Sequence, residues 1–326
     1  MRDGFVKVAA GTPKIRVADC DYNAGQIITL MKEAAAQGVK VLALPELCVT
    51  GYTCGDLFLQ PTLLDGAERA LGRILEETKE LDLLTALGMP IRAENKLYNC
   101  AIVIQRGDIL GLIPKTHIPN YGEFNEQRWF VCGGEVDFYV SDLCGHRPLL
   151  CAGQTFDCNI PNLIIGVEIC EDLWAAEPPS VKLSQNEATV ILNLSASDEV
   201  AGKAEYRRQL VTGQSARLIC GYVYADAGEG ESSTDLVFSG HNMIAENGTM
   251  LAENRFATGL TVSEIDVQRL AYERRRINTF PCGTGWVNDG TFSLEVSDTP
   301  LTRPISPTPF LPTDESRRGE RCEEIL

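Results

Sequence analysis

Apolar positions along the first 230 residues switch between two periods. Phe5 to Ala10 is an apolar run of strand length, after which Ile27, Leu30, Met31 and Ala34 recur at helical spacing. Asn23 with Gln26 reads as a capping box in front of that helix, and Gly38 can end it. Val39 to Leu44 is a short buried-strand run stopped by Pro45. A second helical stripe carries Ala67, Ala70, Leu71, Ile74, Leu75 and Thr78, and Leu83 to Met89 returns to strand. Tyr98 to Gln105 and Ile109 to Ile113 flank Arg106-Gly107-Asp108, a hairpin signature. Strands are expected again at Leu163–Ile169, Thr189–Leu194 and Tyr222–Ala225, with a helix between Ala201 and Leu218. This order predicts an α/β layout with helices covering sheets, in which the hairpin argues against a purely parallel sheet.

The C-terminal portion reads differently. Five prolines between Thr299 and Pro312 exclude helix and central strand, so the segment should run extended over a surface or act as a stiff spacer. A helix-like pattern begins at Ser316 and stops at Leu326. There is no internal repeat.

With 326 residues and 44% hydrophobic content, the chain can bury a large core. A net charge of −16 argues against nucleic acid or an anionic membrane as partner, since both call for a basic face. No apolar run approaches the roughly 20 residues that span a bilayer, and no signal-peptide core follows Met1, so a cytoplasmic protein is expected. The twelve cysteines form no C-x-x-C pair and sit mostly in or beside apolar runs, which suggests reduced, buried thiols. His117, His146 and His241 are too dispersed for a histidine-rich metal site, and no metal is expected.

Three polar residues stand where strand-like runs end: Glu46 after "LALP", Lys115 after "GLIP" and Cys170 after "NLIIGVEI". Singly, each has a plain alternative, a solvated Glu or Lys at a strand end and a core Cys. Together they make coherent chemistry. A thiol beside a cation and a carboxylate is a stronger nucleophile, the carboxylate can take its proton, and Lys115 with the Glu171 N–H can hold an oxyanion. Such a set suits acyl transfer from a C–N bond, with Glu46 as general base. A serine-hydrolase reading lacks a G-x-S-x-G elbow.

The stretches "LPELCVTGYTCGDLF", "PKTHIPNYGEFNEQRWF" and "GVEICEDLW" resemble the nitrilase or carbon–nitrogen hydrolase superfamily, over residues 3 to 275, and within it the N-terminal glutaminase domains of bacterial glutamine-dependent NAD synthetases. The resemblance implies a four-layer α-β-β-α sandwich, a Glu46–Lys115–Cys170 triad, and Glu126 beside it. It further implies Tyr52 and Tyr121 as aromatics lining a glutamine pocket, Glu171 and Trp174 flanking the nucleophile, and Ser197 as a glutamine contact. Plainer roles exist for some of these: Tyr52 and Trp174 as core aromatics, Ser197 as a helix cap, Glu126 as a partner of Arg128.

On that resemblance, residues 1–275 form the glutaminase domain and 276–326 an extension with a Pro-rich linker leading towards a synthetase domain. No Ser-Gly-Gly-type phosphate loop is present, and Gly133-Gly134 and Gly228-Glu-Gly230 lack its context. The implied reaction is hydrolysis of L-glutamine to glutamate and ammonia through a Cys170 thioester, with no cofactor. ATP and Mg would serve only the synthetase domain of the same polypeptide. A homo-oligomer is also implied. Two other readings are a stand-alone amidase or nitrilase for another small amide, and a non-catalytic oligomerisation scaffold, which the intact triad disfavours.

Overall fold

The computed structural model describes residues 1–281, 290–307 and 315–325. Among them are two mixed sheets. The first is built from β1 (Phe5–Thr12), β2 (Val41–Ala43), β3 (Leu84–Ala93), β4 (Lys96–Gln105), β5 (Asp108–Pro114), β6 (Asp137–Tyr139), β7 (Leu149–Cys151) and one later strand. The second contains β8 (Thr155–Cys158), β9 (Ile164–Ile169), β10 (Val190–Ser195), β11 (Gly221–Asp226), β12 (Asn242–Glu246) and β13 (Thr249–Asn254). The later strand, β14 (Gly259–Asp266), returns to pair antiparallel with β1, while β15 (Gly290–Phe292) adds in parallel to β8. Strand order is β14-β1-β2-β3-β4-β5-β7-β6 in the first sheet and β13-β12-β11-β10-β9-β8-β15 in the second.

Strand alternation decides what lies between the sheets. Val6, Val8 and Ala10 of β1 share one apolar cluster with Val190, Leu192 and Leu194 of β10, whereas Ala9 and Ile191 face outward into two other clusters. Outside the first sheet lie α1 (Cys20–Ala36) and α2 (Pro61–Thr78), whose stripes Ile27, Leu30, Met31, Ala34 and Ala67, Ala70, Leu71, Ile74 are all buried. Outside the second sit a single turn, α3 (Glu171–Trp174), then α4 (Pro179–Gln185) and α5 (Lys203–Leu218), contributing Leu173, Leu183, Val211 and Leu218. Three apolar layers between four structural layers give the expected α-β-β-α sandwich. No described helix is long and apolar enough to cross a membrane.

One local expectation fails. The cap of α1 is Asp19, which accepts from the Tyr22 N–H at 3.1 Å, and Asn23 lies a turn inside the helix. The Asn23 amide donates to the carbonyls of Arg16 and Val49, so the residue ties two loops together instead of starting a helix. Arg106 and Gly107 adopt positive φ in the β4–β5 hairpin, as its sequence requires.

After β14 come α6 (Val267–Arg276) and a strap that leaves β15 and crosses the end of the sandwich where β1 and β3 begin. Ser293 and Leu294 carbonyls accept from Gln105 and Asn159, the Glu295 N–H donates to Asp82, and Thr299 Oγ1 donates to the Phe5 carbonyl. Arg303 then forks onto Glu246 at 2.8 and 3.1 Å. Residues 301–307 form neither helix nor strand, and 308–314 lie outside the described residues. The terminal helix-like pattern folds as α7 (Arg318–Ile325).

Candidate active site

Each of Glu46, Lys115 and Cys170 immediately follows a strand or its closing proline, and the strand ends bring them to one place. Lys115 Nζ lies 2.6 Å from Glu46 Oε1 and 2.6 Å from Glu126 Oε1, with all three side chains essentially removed from solvent. Glu126 therefore pairs with Lys115, while Arg128 turns outward to Asp56. Asn99, on β4, donates to Glu46 Oε1 at 2.6 Å and to Glu126 Oε2 at 3.3 Å. The Ala196 N–H, just beyond β10, donates to Glu46 Oε2 at 3.1 Å. The Tyr52 hydroxyl donates to Glu126 Oε1 at 2.8 Å, so this buried ring has a polar task at the site.

Cys170 sits on a sharp elbow between β9 and α3, with φ 44° and ψ −98°. A β-branch-free side chain at positive φ is still strained, and such strain persists only where surroundings fix it. Here the Cys170 N–H donates to the Leu194 carbonyl at 3.0 Å and to Asn193 Oδ1 at 3.2 Å. Asp172 accepts from the Ile169 N–H at 3.0 Å and from the His117 N–H at 2.8 Å, fastening the elbow to the loop that carries Lys115. Its contact with the His117 ring at 3.0 Å raises that imidazole above its ordinary value.

Electrostatics assign the groups different states. Burial pushes the Cys170 thiol well up, Glu46 adds to the effect, and Lys115 opposes it. Burial likewise lifts the Glu46 carboxyl, to about 7, against the pull of Lys115 and with a push from Glu126. For Lys115 burial acts downward, but Glu126 and Glu46 outweigh it and hold the ammonium well above its usual range. The resting cluster is thus a neutral thiol, a permanent cation, and a carboxylate that changes state near neutrality.

The remaining expected residues spread outward. The Tyr121 hydroxyl donates to both Glu171 oxygens at 2.8 and 2.9 Å, and the pair lines an open hollow of about 710 Å³ with Gln127 and Cys132. None of Glu46, Lys115 and Cys170 lines that hollow. Trp174 is half-buried edge-on against Tyr206, with Lys203 Nζ 5.2 Å from its ring. Ser197 is buried, and its hydroxyl accepts from Arg207 at 3.0 Å while its N–H donates to Asp226 at 2.8 Å. It does not cap α5, whose preceding residue is Gly202.

Several supporting residues escaped the sequence reading. Asn99 and Asn193 are amides set inside the largely apolar stretches of β4 and β10, a signal that was available. Gly88 in β3 is another: a Cβ there would fall 2.2 Å from the Leu47 nitrogen and 2.7 Å from the Glu46 carbonyl carbon. Gly133, read only as a failed phosphate loop, lets Pro114 and Lys115 pass, with Pro114 Cβ 2.3 Å from where its side chain would begin. Arg207 is wholly buried and holds the Ser197 and Asp198 carbonyls, fixing the turn that presents the Ala196 N–H.

A cysteine on a strained elbow beside a buried Glu–Lys pair, at the strand ends of a two-sheet sandwich, is an arrangement suited to nucleophilic acyl transfer. The chain belongs to the carbon–nitrogen hydrolase family, whose model matches residues 7–275. It is 37% identical over 98% of its length to the glutamine-dependent NAD(+) synthetase of Mycobacterium tuberculosis H37Rv, and 36% identical over 98% to that of Mycobacterium leprae; each alignment takes in 49% of the relative. The chain therefore spans about half the length of the curated relatives it matches. A solved glutamine-dependent NAD(+) synthetase from Cytophaga hutchinsonii superposes with TM-score 0.70 at 28% identity, covering 80% of this chain and 42% of that one. An amidase of Nesterenkonia AN1 from the nitrilase superfamily shares the fold, with TM-score 0.64 at 19% identity, covering 85% of this chain and 99% of its own.

Proposed function

We propose that this chain is the glutaminase portion of a glutamine-dependent NAD synthetase, hydrolysing L-glutamine to glutamate and ammonia. The observation that carries the reading is the buried Glu46–Lys115 pair beside Cys170 in a chain alignable along 98% of its length with such synthetases.

In the reaction, Glu46 takes the Cys170 proton as sulfur attacks the γ-carbonyl carbon, and the resulting oxyanion is held by Lys115 and the Glu171 N–H. Collapse expels the amine, which receives its proton from Glu46 and leaves as ammonia. Water, deprotonated by the same carboxylate, then opens the thioester to glutamate and restores the thiol. Glu126 keeps Lys115 charged while Glu46 cycles. Tyr52, Tyr121, Glu171, Trp174 and Ser197 are assigned to the glutamine pocket. The Glu171 carboxylate, next to Cys170 in the chain and bonded to Tyr121, suits the ammonium of the free amino acid, and Ser197 acts mainly through its bonds to Arg207 and Asp226.

The reaction needs no cofactor. The ammonia would serve an ATP- and Mg-dependent synthetase domain of the same polypeptide, with residues 1–275 as the glutaminase domain and 276–326 as the connection. Assembly as a homo-oligomer belongs to the same proposal. The deciding experiment is ammonia release from L-glutamine, with and without the synthetase domain supplied in trans, beside Cys170→Ala. Intact mass after reaction with 6-diazo-5-oxo-norleucine should show one adduct that Cys170→Ala lacks. Neither release nor adduct, together with turnover of another small amide, would overturn the glutamine assignment.

A further inference from the structure

Glu46 is faced by every polar group packed around it: Lys115 and Asn99 on Oε1, the Ala196 N–H on Oε2, and within the same pocket Glu126, Tyr52 and Cys170. Asn99 is the neutral member that touches both carboxylates. Its Nδ2 spans Glu46 and Glu126, its backbone carbonyl accepts from the Lys115 N–H at 2.8 Å, and it is 1% exposed. Its Oδ1, in contrast, is buried with no partner. A buried amide that leaves its acceptor unsatisfied is held by its donor side, because an orphaned carbonyl oxygen by itself disfavours the arrangement.

We propose that Asn99 is a positioning residue that sets the basicity of Glu46 by bridging it to Glu126. The bridge stabilises the ionised form of Glu46, the form that must accept the thiol proton. Without it, two carboxylates would share only Lys115, and the one that cycles would keep its proton to higher pH. An aspartate of the same shape would reverse the effect, since it offers no proton and adds a third negative charge.

This rests on the proposed role of Glu46 but not on glutamine being the substrate, and the test separates the two. The rate of Cys170 alkylation by iodoacetamide, followed on the Cys170 peptide by mass spectrometry from pH 5.5 to 9, is measured for wild type, Asn99→Ala and Asn99→Asp, beside glutamine hydrolysis. In wild type both rates should rise through pH 7. In Asn99→Ala the rise should move up by about one pH unit, so that the rate at pH 6 falls about tenfold while that at pH 9 is nearly kept. Asn99→Asp, which preserves volume, should move it further. Profiles of unchanged midpoint, whatever their height, would overturn the inference, because a merely structural Asn99 lowers the plateau without displacing the limb. The alkylation shift intact in a wild type that turns over another small amide, and neither hydrolyses glutamine nor takes the 6-diazo-5-oxo-norleucine adduct, would overturn the substrate and support Asn99.

Discussion

Replacing Gly88 by alanine tests whether the loop carrying Glu46 is seated as tightly as the geometry requires. The added Cβ would meet the Leu47 nitrogen at 2.2 Å, the Pro45 carbonyl oxygen at 2.6 Å and the Glu46 carbonyl carbon at 2.7 Å. All three are backbone atoms, so no side chain can swing aside to relieve the clash. Reaching even a 3.0 Å separation requires Leu47 to retreat by 0.8 Å. The loop cannot do so freely, since the Glu46 N–H is bonded to the Ser195 carbonyl, the Val49 N–H to the Gly88 carbonyl, and Leu47 already holds φ 51°. Overpacking of this kind costs about 1–3 kcal/mol of stability. A carboxylate displaced by about 1 Å from a reacting thiol lowers kcat by about a hundredfold. The expected result is a folded protein of reduced Tm whose kcat in the proposed glutamine hydrolysis falls about a hundredfold while KM changes little. Wild-type kcat would refute the reasoning outright. A lowered Tm with full kcat would mean that the loop yields without carrying Glu46 along.

Because burial raises Glu46 to about 7, the ionised form that the proposed base needs is lost as pH falls through that value, so kcat/KM should rise with pH across 6 to 8. Glu46→Gln should remove that limb together with at least a hundredfold of activity, as a pH–rate series would show. Lys115→Met leaves Glu46 and Glu126 as uncompensated buried carboxylates and should cost about 3–5 kcal/mol in urea unfolding besides abolishing turnover; a stability near wild type would contradict the pairing. Arg303→Ala strips the fork from Glu246, which is 3% exposed, and should lower stability by about 1–3 kcal/mol with kcat unchanged, measured by thermal unfolding and ammonia release.

Much of this protein is written locally. The stripes of α1 and α2, the apolar runs of β9, β10 and β11, and the hairpin at Arg106-Gly107 were legible because helix and strand periods are properties of neighbouring residues. Glu46, Lys115 and Cys170 were legible too, since a polar residue after a strand-stopping proline or at a run's end stands out, and three such motifs in order resemble one family. The start of α1 shows the limit: Asn23 with Gln26 satisfies a capping pattern, but Asn23 is drawn to the Arg16 and Val49 carbonyls, and Asp19 caps instead.

What the tertiary structure alone decided is which groups meet across the sequence. Asn99 lies 53 positions from Glu46, and the Ala196 N–H lies 150. Neither spacing leaves a periodic trace, because a contact between strand ends depends on sheet order and on the packing of one sheet against the other. Gly88 is needed only because another loop crosses it, and Arg207 is buried because Ser197, Asp198, Glu199 and the distant His241 close around it. The protonation states follow the same division. Sequence supplies a thiol, an amine and a carboxylic acid with ordinary affinities for protons, and burial together with the charges gathered around them raises those of Cys170, Lys115 and Glu46.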